Sequence, residues 1–281
     1  MDDPAVSSLV HCIRSSERIL AVVGAGLSQP SGLPTFQGDG AYFRGRPSRE
    51  LAHKSAFDND PILVWTFYEN RRQMALKAVP NSAHLALVEL AKQKPQLLIV
   101  TQNIDGLSER AGQANSNLVP IHGSVFAVCC ANDECSYATQ NYSNESTVSG
   151  LAKLLRDTSS IEQQSPQANE INIPTCPLCQ SAILRPGVVW YGERLPSDAL
   201  KSIDDWLDAS STVDLVLVIG TTRTPFVPDA LNRGASIASF DFFEDWDSAE
   251  HVISHNDDEW LVNGDVSHTL SDLIREVTLN M

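Results

Sequence analysis

No apolar run in this chain approaches the ~20 residues that a bilayer-crossing helix needs, so a membrane partner is not expected. Basic residues are scarce: 20 Lys and Arg stand against 35 Asp and Glu, for a net charge of −15. Duplex binding is driven by phosphate neutralisation, so this balance argues against direct contact with nucleic acid. It suits a solvated acidic surface or one that meets basic protein partners. The start, Met1-Asp2-Asp3-Pro4, lacks both the apolar core of a signal peptide and the Arg-rich face of a transit peptide. The expectation is a cytoplasmic or nuclear monomer, with mitochondria still open. No internal repeat is present.

What is there begins with length. At 281 residues and 42% hydrophobic content, the chain can bury one large core or two unequal ones. The apolar run Ile19–Val23 stops at Gly24-Ala25-Gly26, as a buried parallel strand does when it ends on a tight turn. Ser28 follows where a hydroxyl could meet a phosphate or start a helix. The third glycine of the dinucleotide fingerprint is missing, and Ser31-Gly32-Leu33-Pro34 punctuates the chain where a long helix would otherwise run.

Further along, apolar spacing predicts a helix over residues 4–16 and another from Asn59 or Asp60 to about Val79, opened by Pro61. Residues 36–55 read as a loop. A helix over 83–92 precedes a strand over 96–101, and a short strand covers 118–121. Later strands are expected over 188–191, 215–220 and 236–241. A helix over 197–210 separates the first two, and a last helix covers 268–279. Strands alternating with helices imply an α/β fold with a Rossmann-like, doubly wound parallel sheet. Composition changes between Val125 and Leu184, where cysteines bracket a polar stretch, Ser143–Ile171, with a short helix over Gly150–Asp157. That region reads as a smaller zinc-binding lobe. The expected division is 1–36, 84–122 and 188–281 for the Rossmann-like domain. Residues 37–83 and 123–187 make the small domain, a helical insertion plus the zinc module.

Five of the six cysteines fall in two tight clusters, which favours metal over disulfides when no secretory signal is seen. Cys130 and Cys135 pair with Cys176 and Cys179 as a four-thiolate set for one structural zinc, with no open position for catalysis. Cys129 could exchange with Cys130, although the spacing from His122 favours Cys130.

Polar clusters sit at the carboxyl ends of the strands, where open α/β sheets bind ligands. They are Gln102-Asn103-Ile104-Asp105, His122-Gly123, Gly220-Thr221-Thr222 and Asp241. An imidazole titrating near neutrality suits a general base, and a carboxylate suits ribose hydroxyls. Tyr68 and Arg71, three apart on a helix, share a face, which taken alone reads as an amphipathic patch.

These stretches together resemble the sirtuins, over nearly the whole chain. Gly24-Ala25-Gly26-x-Ser28 through Phe36 is similar to the first signature, with Gln37 where the family has Arg. The resemblance implies NAD as cofactor, held by Gly24, Ala25, Gly26, Ser28, Phe36, Gln37, Gln102, Asn103, Asp105, His122, Gly220, Thr221, Thr222, Asp241 and Val266. It implies that His122 and Asn103 are catalytic, with His122 as general base on the ribose. Arg185-Pro186-Gly187-Val188-Val189-Trp190-Tyr191-Gly192-Glu193 resembles the segment that pairs with an acyl-lysine peptide, which implicates Val188, Val189, Tyr191, Gly192 and Glu193. The segment from Phe67 to Arg72 looks like that of class III sirtuins, in which the Tyr and first Arg clamp succinyl-, malonyl- or glutaryl-lysine. The implied activity is NAD-dependent protein-lysine deacylation, releasing nicotinamide, free lysine and acyl-ADP-ribose. A weakly active NAD-binding scaffold, a dehydrogenase and a mono-ADP-ribosyltransferase are the alternatives.

Overall fold

The computed structural model describes residues 4–35, 40–151, 155, 171–222, 226–242, 251–256 and 258–279. Strands are β1 (Ile19–Val23), β2 (Tyr42–Phe43), β3 (Arg46–Pro47), β4 (Leu98–Thr101), β5 (Leu118–Pro120) and β6 (Gly123–Cys130). After them come β7 (Ala138–Gln140), β8 (Leu184–Val188), β9 (Leu215–Ile219), β10 (Ser236–Asp241), β11 (His251–Asn256) and β12 (Glu259–Asn263). A seven-stranded sheet runs β11-β12-β10-β9-β1-β4-β5, parallel except for the antiparallel edge strand β11.

β1 and β9 lie in the middle, and every residue of both is buried. Their near-continuous Val, Ile and Leu follow from being covered on both faces. Alternate side chains feed two separate cores. Ile19, Ala21, Val23, Leu215, Leu217 and Ile219 pack under helices Pro4–Ser15, Ser82–Gln93 and Val266–Thr278. Leu20, Val22, Val216 and Val218 face helix Ser197–Asp208 and the short helix Val227–Leu231. This is the doubly wound arrangement that the alternation of elements predicts.

A third core joins helix Pro61–Lys77 to the small antiparallel sheet β7-β6-β8, through Phe67, Tyr68, Phe126, Val188 and Trp190. The helix begins as expected: Asp60 caps it by accepting from the Leu63 amide at 2.9 Å, with Pro61 in the first turn.

Several elements differ from the sequence reading, among them β6 and β7 of the small sheet, where no strand is expected. The strand expected over 188–191 is β8, shifted earlier, and it pairs with β6 in the small sheet rather than joining the parallel one. Its apolar content reflects burial in the third core, which periodicity alone cannot assign to one sheet or another. The stretch 36–55, read as a loop, contains the β2–β3 hairpin and the short helices Ser48–Leu51 and Lys54–Asn59. The hairpin turns on Arg44 and Gly45 at φ 50° and 73°, a two-residue turn of the kind that favours antiparallel strands. Finally, the chain closes the sheet with β12 and β11, which were not anticipated. The helix expected over 150–157 falls mostly outside the described residues, as does most of the polar stretch around it.

Candidate active site

Four neighbouring strands, β9, β1, β4 and β5, end side by side, and their last residues interlock. The Gly24 amide donates to the Ile219 carbonyl and the Gly26 amide to the Gly220 carbonyl, both at 2.9 Å. A Cβ on Gly26 would lie 2.5 Å from the Gly220 Cα, and one on Gly24 2.5 Å from the Thr221 Cβ. The glycines are therefore needed for loop-to-loop contact, quite apart from any ligand. Ala25 opens a 3₁₀ segment, Ala25–Ser31, in place of a long helix.

The segment after β4 is fastened to that turn. Asn103 Nδ2 donates to the Gly24 carbonyl at 2.9 Å and to Ser28 Oγ at 3.3 Å. Gln102 Nε2 donates to Thr221 Oγ1 at 3.3 Å. Burial pushes the Asp105 carboxyl up, against the opposing pull of the Leu107 amide, the Ser28 hydroxyl and the Arg110 charge. His122, at the end of β5, places Nδ1 3.0 Å from the Gln102 carbonyl oxygen. A carbonyl only accepts, so Nδ1 carries the hydrogen and Nε2 keeps the lone pair that a base requires.

Asp241 ends β10, where its carboxylate accepts from the Phe242 amide at 2.8 Å and its carbonyl from Gly264 at 3.2 Å. Burial pushes its carboxyl up. Thr222 is exposed beside Thr221. The Val266 side chain is turned into the first core, so only its backbone faces the loops. Phe36 and Gln37 lie outside the described residues. Three hydroxyls, two carboxamides, an imidazole and two carboxyls on one sheet edge offer both donors and acceptors, the mixture that ribose hydroxyls and an amide need.

A short path leads from the imidazole to the second half of the site. The Val189 amide donates to the His122 carbonyl at 2.9 Å, and the next residue, Trp190, is buried beside Tyr68. Burial pushes the Tyr68 phenol well up, so it stays protonated, while the neighbouring Arg71 charge pulls it down. Burial pulls the Arg71 guanidinium down, opposed by the phenols of Tyr68 and Tyr191. Arg71 lies 4.8 Å from the Phe67 ring centroid and 3.4 Å from the Pro34 carbonyl, just past the glycine turn. Phenol and guanidinium thus stand together, the first buried and the second half-buried, on the side of the site reached through Val189. Glu193 is placed differently: it forks with Arg185 at 2.6 and 3.0 Å and accepts from the Trp190 amide at 2.8 Å. Its carboxylate is an internal brace rather than a surface offered to a substrate. Gly192 takes φ 86°, and the Tyr191 amide donates to Ala52.

The four thiols of Cys130, Cys135, Cys176 and Cys179 converge, all within 4.8 Å of one another. Cys130 and Cys179 are 3.6 Å apart, and Cys135 and Cys176 3.8 Å. Tetrahedral Zn–S bonds of about 2.3 Å require sulfurs ~3.8 Å apart, so the set fits zinc. Cys129 is excluded from it, since its thiol turns to the Pro186 carbonyl at 4.0 Å.

Residues 24–225 match the model of the Sir2 family. The chain belongs to the Sir2 family. This Sir2 chain is 35% identical to the NAD-dependent protein deacylase of Candida albicans, covering 90% of itself and 91% of that protein. It is 37% identical to the mitochondrial NAD-dependent protein deacylase sirtuin-5 of Canis lupus familiaris, over 80% of itself and 73% of that protein. Among solved structures it resembles a Sir2 homolog–NAD complex, with a TM-score of 0.74 and 30% identity over 100% of this chain and 95% of that one.

Two parts of the Sir2 site escaped the sequence reading. One is the Arg185–Glu193 pair, whose guanidinium also lies 3.4 Å from the Trp190 ring centroid. Opposite charges flanking an aromatic strand end were its signal. The other is the approach of His53 and Arg49 to Tyr191, which no local pattern announces.

Proposed function

We propose that this Sir2 chain, an NAD-dependent protein deacylase, prefers lysines that carry negatively charged acyl groups: succinyl, malonyl or glutaryl. The observation that carries the preference is the placing of the buried Tyr68 phenol next to the half-buried Arg71 guanidinium, one helical turn apart, beside Trp190 and Tyr191. A distal acyl carboxylate would meet the Arg71 guanidinium in the charge-assisted, forked form that arginine favours, with the Tyr68 phenol beside it. An acetyl group offers it nothing.

The rest of the site then has assigned work. NAD, when bound, supplies the ADP-ribosyl acceptor and the nicotinamide leaving group. The glycine loops give close backbone approach, Ser28, Thr221 and Thr222 supply hydroxyls, and Asp241 accepts from adenosine-side hydroxyls. Asn103 and Asp105 orient the nicotinamide end, with Gln102 holding both Thr221 and His122. His122 Nε2 takes the proton from a ribose hydroxyl, its ring fixed by the Gln102 carbonyl. Val188, Val189, Tyr191 and Gly192 line the acyl-lysine. The four-cysteine zinc holds the small sheet and has no chemical step.

The test is a panel of acetyl-, malonyl-, succinyl- and glutaryl-lysine peptides, followed by nicotinamide release. Losing a hydrogen bond to a charged group costs about 1.5–3 kcal/mol, so Arg71→Met should lower kcat/KM for succinyl-peptide ~10- to 150-fold. Tyr68→Phe should lower it less, and acetyl turnover should hardly change. Equal losses for acetyl and succinyl would overturn the acyl preference. NAD binding without nicotinamide release would favour a scaffold.

A further inference from the structure

Residues 44–54 hold Arg44, Arg46, Arg49 and Lys54 against one acid, Glu50; four cations less one acid give a local +3 within a chain of −15. This basic stretch is fastened to Tyr191. The Tyr191 amide donates to the Ala52 carbonyl at 2.8 Å, the His53 ring stacks on the phenol at 5.3 Å, and the Arg49 guanidinium lies 5.2 Å from the ring centroid. Arg44, Arg46 and Arg49 are all exposed, and the tight turn at Arg44-Gly45 holds the first two at the hairpin tip. Beside them is a depression of about 360 Å³ whose lining includes Arg46, Glu50, Leu51, His53 and Asn59.

The acids packed around it are mostly occupied. Asp58 pairs with Lys54 at 3.4 Å, and Glu193 with Arg185 at 2.6 Å. Among the described residues neither Arg46 nor Arg49 forms an ion pair, and Glu50 alone opposes them in the depression. We propose that this rim is an anion-reading surface that selects acyl-lysine substrates with Asp or Glu close to the modified lysine. The inference rests on the reading of Tyr191 as part of the acyl-lysine wall.

Local charge decides here, not net charge. Screening reduces interactions beyond ~8 Å at physiological salt, so the distant acids weigh little against arginines at the contact. Exposed ion pairs are individually weak, worth roughly two- to fivefold each. Two such pairs give a preference of about 4- to 25-fold, expressed in KM and lost at high salt.

The experiment compares kcat/KM for peptides of one core sequence with acidic, neutral or basic residues flanking the acyl-lysine on either side. Each is made in succinyl and acetyl form, and peptide binding is read by fluorescence anisotropy. The acidic-to-neutral ratio should exceed about fourfold on at least one side. It should fall toward one in Arg46→Gln/Arg49→Gln and in 0.5 M salt (roughly a 4 Å screening length), and be retained in Arg46→Lys/Arg49→Lys. A flat ratio in the unaltered protein, or one unmoved by the glutamine pair, would overturn the proposal. The acyl reading fails separately, through acetyl peptides that perform as well as succinyl ones whatever their flanks.

Discussion

Arg72 and Glu69 form a buried ion pair, 2.8 Å apart, with their side chains only 5% and 2% exposed. The same guanidinium donates to the carbonyls of Ser143 and Glu145, so it ties a loop of the small lobe to the helix. Its neighbour Arg71 points toward Pro34 and Tyr68 instead. Two adjacent arginines thus face different surroundings. Breaking a buried pair costs about 3–5 kcal/mol, so Arg72→Leu should lower the unfolding free energy by that amount in a urea titration. Arg71→Met should leave the urea midpoint nearly unchanged and act on succinyl-peptide turnover.

His122 is the proposed base, and its Nδ1–H is fixed on the Gln102 carbonyl. General base catalysis is worth about 10²–10⁴-fold, so His122→Ala should lower kcat by that factor while NAD binding, read by calorimetry, persists. A loss under tenfold would move the base elsewhere.

Metal content separates the two adjacent cysteines. The protein should carry one zinc per chain by elemental analysis, as four converging thiols allow. Cys129→Ser should keep that zinc, whereas Cys130→Ser should lose it and become sensitive to mild heating. Chelation should destabilise the unaltered protein by melting the small sheet first.

A buried histidine sets an acid limit. Burial pulls His84 from 6.5 down to about 4, and its Nδ1 accepts from the Asn81 amide at 3.3 Å. The folded value lies below the unfolded one, so the neutral ring contributes nothing pH-dependent above about 6.5. Stability is lost as pH falls through the window from 6.5 to 4, by about 2 kcal/mol at pH 5. Melting at pH 7 and pH 5 should show that loss, and His84→Gln should flatten it. An identical slope in the variant would assign the acid limit to other groups.

Gln37 lies outside the described residues, and its prediction rests on sequence alone. A neutral amide cannot replace the family Arg, so Gln37→Arg should lower the KM for NAD. An unchanged or higher value would refute the expectation.

β1 and β9 were readable because strands covered on both faces must be continuously apolar. Asp60-Pro61 announced its helix through cap chemistry, and the cysteine spacing announced the metal cluster. β8 was misplaced because a buried apolar strand carries no mark of which sheet will own it. The β2–β3 hairpin was missed because Arg44 takes a positive φ that non-glycine residues seldom adopt. At the strand ends, the polar clusters are legible in the sequence, but their mutual contacts are not. Glu193 needed the fold to reveal that its partner is Arg185, eight positions away across the bend at Trp190.

Gly26 and Gly220 touch main chain to main chain, and that has a consequence for how this sheet edge can change. Neither loop can gain so much as a methyl group unless the other retreats, and enlarging both only doubles the collision. The two turns therefore pack as one unit, and a change in either is felt by both. A larger residue at either turn would push the two loops apart, so change at this edge is left to the side chains standing around them.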